Sequence, residues 1–120
     1  MTELTILDSR ELAEAAFDIA DEKQASNIVL LDVREACDFA DYSVIMTAES
    51  TRQLRTLVDD VQDGMKSAGA ALHHVEGTHT SGWILMDYGD VLVHLMGPEE
   101  RDFYGLETVW AMSRQIRVIP

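Results

Sequence analysis

The run Ile28-Val29-Leu30-Leu31 limits the fold more than any other part of the chain. Its four consecutive apolar residues, mostly branched, leave no polar side for water, so the segment reads as a strand covered on both faces. Such a strand needs covering layers, and the flanking sequence can supply them. Upstream, Leu12, Ala16 and Ile19 form a helical stripe with Ala13, Phe17 and Ala20 beside it and acids facing away. Asp8 and Ser9 are N-cap candidates, and Glu11 is placed to close a capping box from Asp8. Downstream, Tyr42 to Thr47 reads as a second strand. Ser50 to Gln53 then has the capping-box pattern, and Leu54, Leu57, Val58, Val61 and Met65 follow at helical spacing until Gly69 stops the helix.

Leu72 to Glu76 reads as a short third strand and Gly77 to Gly82 as a polar loop. Two extended runs, Trp83 to Asp87 and Val91 to Met96, are separated only by Tyr88-Gly89-Asp90, which predicts a hairpin. Gly97-Pro98 opens a last helix carrying Arg101 to Met112, with Glu99, Glu100 and Asp102 at its positive end. Ser113 to Pro120 reads as a tail. The expected fold is α/β: a mixed five-stranded sheet flanked by helices, in the order α-β-β-α-β-β-β-α. No linker-like segment or repeat divides the chain. Residues 1–120 are therefore expected to form a single domain with a core over about residues 8–111.

Charge narrows the function. Twenty-two acidic against nine basic side chains give a net charge of −13. Phosphate binding relies on Lys and Arg, so direct nucleic-acid binding is not expected, and a basic patch for membranes is equally absent. Complementarity favours a basic protein partner. No apolar run approaches the ~20 residues that cross a bilayer. The acidic N-terminus lacks the bases of a targeting peptide, so the expected location is cytoplasmic. The single cysteine, Cys37, excludes an internal disulfide and reads as a small packed side chain rather than a nucleophile.

The residues able to carry chemistry are scattered. His73 and His74 are neighbours and would point to opposite faces of a regular strand. His79 lies in a loop, and His94 reads as a hydrogen-bonded sheet residue, so no metal site is expected. Asp32, Asp87 and Asp90 are a conceivable magnesium-binding set for nucleotidyl or phosphoryl transfer. No glycine-rich phosphate loop accompanies them, and turn chemistry alone explains an Asp beside Tyr88-Gly89. The more unusual content is aromatic: Trp83, Tyr88, Phe103, Tyr104 and Trp110 crowd the hairpin and last helix. Phe103 reads as core packing, whereas Trp83 and Tyr104 suit core and interface equally well.

Trp83-Ile84-Leu85-Met86-Asp87-Tyr88-Gly89-Asp90-Val91-Leu92-Val93-His94, followed by Glu99-Glu100-Arg101-Asp102-Phe103-Tyr104-Gly105-Leu106-Glu107 and Trp110, resembles the ribosomal silencing factor (Iojap) family. Asp32-Val33-Arg34, Asp41 to Ile45, Ser50-Thr51-Arg52 and Glu76-Gly77 stand in matching order, so the resemblance covers about residues 8–111. It implies a nucleotidyltransferase-like domain without the catalytic residues, which is not an enzyme and takes no cofactor. It also implies a translational repressor that binds the large ribosomal subunit through ribosomal protein fourteen and blocks the small subunit sterically when nutrients are scarce. Several members of the family form homodimers off the ribosome. By matching position, the contact surface involves Trp83, Asp87, Tyr88 and Tyr104, with Leu106 and Glu107 beside them. Ala48-Glu49 stand where the family often has Thr-Gly, and Gln53 where it often has His. An assembly adaptor for the large subunit and a small nucleotidyltransferase-like enzyme are the alternative readings.

Overall fold

The computed structural model describes residues 7–109 and 113–120. Its first helix, α1 (Ser9–Glu22), begins as its sequence dictates. The Asp8 side chain accepts the Glu11 N–H, and the Glu11 side chain accepts the Asp8 N–H in return. Ala13, Ala16, Phe17 and Ala20 form its buried stripe. Strands β1 (Ser26–Asp32) and β2 (Tyr42–Thr47) follow, and the helix α2 (Thr51–Ser67) buries Leu54, Leu57, Val61 and Met65. The Ser50 hydroxyl caps α2 by accepting the Gln53 N–H at 3.0 Å. The Gln53 side chain does not complete the expected box. Its carbonyl oxygen accepts the Glu49 N–H instead.

Strands β3 (His74–Glu76), β4 (Trp83–Asp87) and β5 (Val91–Met96) come next, with a 3₁₀ turn at His79–Ser81 in the predicted polar loop. After β5, α3 (Pro98–Tyr104), α4 (Leu106–Val109) and β6 (Arg114–Ile119) complete the chain. The sheet has the order β3-β4-β5-β2-β1-β6, and among the described residues only the β2–β5 pair is parallel.

Helices α1 and α2 cover one face of the sheet, where Ile28, Leu30, Val44, Met46, Ile84, Met86, Val93 and Leu95 meet the helical stripes. The two helices approach closely at Gly64, where an added Cβ would lie 2.5 Å from Ile19 Cδ1. The opposite face gathers a smaller cluster of Val29, Leu31, Ile45, Leu92 and Met96. Its cover is Val33 and Ala40 from the β1–β2 connection and Leu106 from α4. On this face Trp83, Leu85 and Asp87 of β4 are only partly buried.

Two expectations are corrected. Among the described residues the sheet has six strands rather than five, because the segment read as a tail pairs with β1 as an edge strand. Contacts remote in sequence hold it there. Arg117 donates to Glu14 at 2.6 Å and Asp18 at 2.8 Å, and its guanidinium lies 4.1 Å from the centroid of the Phe17 ring. The last helix is not continuous either. Gly105 adopts φ +52, the left-handed conformation that ends a helix, so the chain breaks between α3 and α4. Trp110 and Met112, expected on that helix, lie outside the described residues.

Candidate functional site

Along β4 the side chains alternate. Ile84 and Met86 enter the helix-covered core, and Trp83, Leu85 and Asp87 turn to the opposite face. Trp83 is half-buried there. Its indole N–H donates to His94 Nδ1 on β5 at 3.2 Å. His94 is 3% exposed, and burial pushes its pKa down to about 4 against a smaller upward pull from Glu107. The imidazole is therefore neutral at pH 7, and its Nδ1 can accept. On its other side Trp83 packs against Tyr104 of α3, with ring centroids 4.6 Å apart, and Tyr104 meets Phe103 edge-on at 5.0 Å.

Arg101 fixes the helix that carries these rings. Its Nε and Nη2 reach Glu107 Oε1 at 2.8 and 2.7 Å, spanning the break between α3 and α4. Its Nη1 donates to the Thr47 hydroxyl at 2.9 Å, at the end of β2, and to the Asn27 carbonyl on β1. One guanidinium thus ties both short helices to two strand ends.

The structure sorts the expected site residues into three groups. Trp83 and Tyr104 lie together, and Tyr104 is 45% exposed. Glu107 faces Arg101 and is partly exposed. Asp87 is half-buried and accepts the Gly89 N–H at 2.7 Å, which shapes the hairpin turn. Tyr88 and Leu106 are in the two cores, 5% and 8% exposed. Tyr88 belongs to the helix-covered core, whereas Trp83 packs against the opposite one. Phe103, expected in the core, is 82% exposed. No residue of α3 is buried. Neither the Arg101 anchor nor the exposed Phe103 could be read from local spacing.

Asp32 and Asp87, two of the three carboxylates considered for magnesium binding, are not brought together. Asp32 and Asp87 lie on β1 and β4, with β2 and β5 between them, about 14 Å of sheet at ordinary strand spacing. Arg34 chelates Asp32 at 3.0 and 2.7 Å and holds its pKa below the usual carboxylate range. Among the described residues no group of three or more His, Cys, Asp or Glu side chains could hold a metal ion. No described helix is long and apolar enough to cross a membrane.

Residues 6–119 match the family model described as ribosomal silencing factor during starvation. The chain belongs to that family. A ribosomal silencing factor of Zymomonas mobilis is 34% identical over 109 residues, which cover 91% of this chain and 82% of that one. A crystal structure of a Chromobacterium violaceum protein superposes with a TM-score of 0.83 at 30% identity, covering 88% of each chain. The family extends to organelles. A mouse protein named for mitochondrial assembly of the ribosomal large subunit is 30% identical over 94 residues, 76% of this chain and 41% of its own length. The aromatic group at β4 and α3 lies within the matched segment, as do Arg101 and His94.

Proposed function

We propose that this chain is a cytoplasmic translational repressor that docks on ribosomal protein fourteen of the large subunit and keeps the small subunit from joining. One observation carries the reading: Trp83 and Tyr104 pack together on an acidic molecule, and Tyr104 is 45% exposed to solvent. Interface centres favour Trp and Tyr, which combine apolar bulk with a polar tip. A −13 body is repelled by ribosomal RNA and drawn to a basic protein. Asp87, Tyr88, Leu106 and Glu107 complete the proposed site, the buried Leu106 from the core against which Trp83 packs and Tyr88 from the opposite core, below the hairpin turn. Inhibition then needs no chemistry. A body measuring 48 × 32 × 25 Å, held at the subunit face, excludes the partner particle by volume.

Purified large and small subunits test this directly. With the chain in excess, joining should slow in proportion to occupancy of the large subunit, and the chain should sediment with free large subunits only. Joining at the normal rate despite full occupancy would overturn the repressor reading. A role as an assembly adaptor is the second reading, favoured by the name of the mouse relative, and it would leave that joining rate unchanged. Off the ribosome the chain is proposed to form a homodimer, which sedimentation at rising concentration tests.

A further inference from the structure

Phe103 is the most exposed large apolar side chain among the described residues, at 82%, and Tyr104 beside it is 45% exposed. The two rings meet at 86°, so they form a corner. A groove of about 350 Å³ runs along it, lined by Ser81, Glu99, Glu100, Phe103 and Tyr104. It is roomy enough for one long side chain and too small for a helix or strand. The rim is anionic. Glu100 reaches back over Gly82 and Gly97, and a Cβ at Gly82 would stand only 2.4 Å from the Glu100 carboxyl carbon. Gly82 itself has φ +76, so a larger residue there would be strained as well as crowded. Neither Glu99 nor Glu100 has an ion pair or side-chain hydrogen bond among the described residues, which leaves both carboxylates able to accept from a ligand.

We infer that the Phe103–Tyr104 corner, with Glu99 and Glu100, is a receptor for one arginine side chain of a protein partner. This rests on the reading of the aromatic end as the docking face and adds the chemistry of the contact. A planar guanidinium can stack on an aromatic face while its edge donates to carboxylates, a combination the spherical ammonium of lysine meets less well. A nucleic acid would bring phosphates against Glu99, Glu100 and Asp102, so stacking of a base on Phe103 is disfavoured. The net charge of −13 supports a cationic occupant. The neighbouring contact of Trp83 on Tyr104 stiffens the corner from behind.

The test uses the full chain, isotopically labelled, titrated with a blocked glycine-arginine-glycine peptide and followed by NMR. The Phe103 and Tyr104 ring signals should shift saturably. The citrulline version of the peptide, isosteric and uncharged, should produce no saturable shift. Phe103→Leu, which keeps apolar bulk, should weaken the arginine peptide about three- to fivefold, in line with an exposed cation–π contact. The double variant Glu99→Gln, Glu100→Gln should weaken it at least as much. Equal shifts with citrulline, or shifts spread over α1 and α2 instead of the corner, overturn the inference. Sedimentation of Phe103→Leu with large subunits separates the two proposals. If Trp83→Ala abolishes co-sedimentation and Phe103→Leu leaves it unchanged, the docking face stands and the arginine receptor falls. If the unaltered chain fails to sediment with large subunits, the docking reading falls, and the peptide titration still decides the receptor.

Discussion

Trp83 and His94 are joined across the β4–β5 hairpin by an indole N–H donated to Nδ1 at 3.2 Å. The acceptor exists only while the imidazole is neutral, because a protonated histidine carries hydrogens on both nitrogens. A half-exposed aromatic on the proposed docking face is therefore held in place by the protonation state of a residue in the sheet.

The stability of the fold should consequently depend on mildly acidic pH. Burial lowers the His94 pKa from 6.5 to about 4, so between these values the unfolded chain binds the proton and the folded chain resists it. The contribution is fully present above pH 6.5 and is lost as pH falls toward 4. At pH 5 the expected loss is about 2 kcal/mol. Urea unfolding at pH 7 and pH 5 measures it. His94→Gln, which keeps an acceptor for Trp83 and cannot titrate, should remove this part of the slope. An equal slope in the variant would show that another group is responsible.

Tyr104 and Trp83 should separate binding from stability. Tyr104→Ala removes a ring that is 45% exposed and should cost only about 1 kcal/mol of folding stability, through its contact with Trp83, while weakening co-sedimentation with large subunits by about 2 kcal/mol, roughly thirtyfold. Trp83→Phe keeps a ring but loses the donor to His94, and should cost about 1 kcal/mol of folding stability. Retained binding in a well-folded Tyr104→Ala variant would remove this residue from the interface.

Most of the fold is legible in the sequence because its signals are local. The Asp8–Glu11 box, the stripes of α1 and α2, and the short link at Gly89 each act within a few residues. β6 is not legible in that way. Arg114 to Ile119 lacks a strict alternation, and its place depends on Glu14, Asp18 and Phe17, about a hundred positions earlier. The same distinction holds at the site. The motif resemblance singles out Trp83 and Tyr104, but exposure is a property of packing, so Phe103 and Tyr88 fall on unexpected sides. Arg101 gives no sign in the sequence of reaching Asn27 and Thr47.

Tyr88 offers a check on what a buried member of the site does. Its hydroxyl has no hydrogen-bond partner among the described residues, and burial raises its pKa to about 12. Removing a buried hydroxyl that lacks a partner costs little. Tyr88→Phe should therefore unfold at the same denaturant concentration or slightly higher, and should bind large subunits as the unaltered chain does. Tyr88→Ala should lose roughly 3–5 kcal/mol by opening a cavity. Loss of binding in a stable Tyr88→Phe variant would assign the hydroxyl a direct contact instead.

Arg101 should prove the structural determinant of α3. Its guanidinium makes bonds to Glu107, Thr47 and Asn27, and its side chain is largely buried. Arg101→Ala leaves Glu107 without its partner and releases α3 from the strand ends, at an expected cost of roughly 2–3 kcal/mol. Lysine cannot reproduce the fork, since one ammonium cannot meet three acceptors in these directions, so Arg101→Lys should recover less than half of the loss. Hydrogen exchange locates the effect: α3 and α4 should lose protection first, with α1 and α2 unchanged. Protection that falls evenly through the chain would mean that Arg101 supports the whole fold and has no particular part in presenting Phe103 and Tyr104.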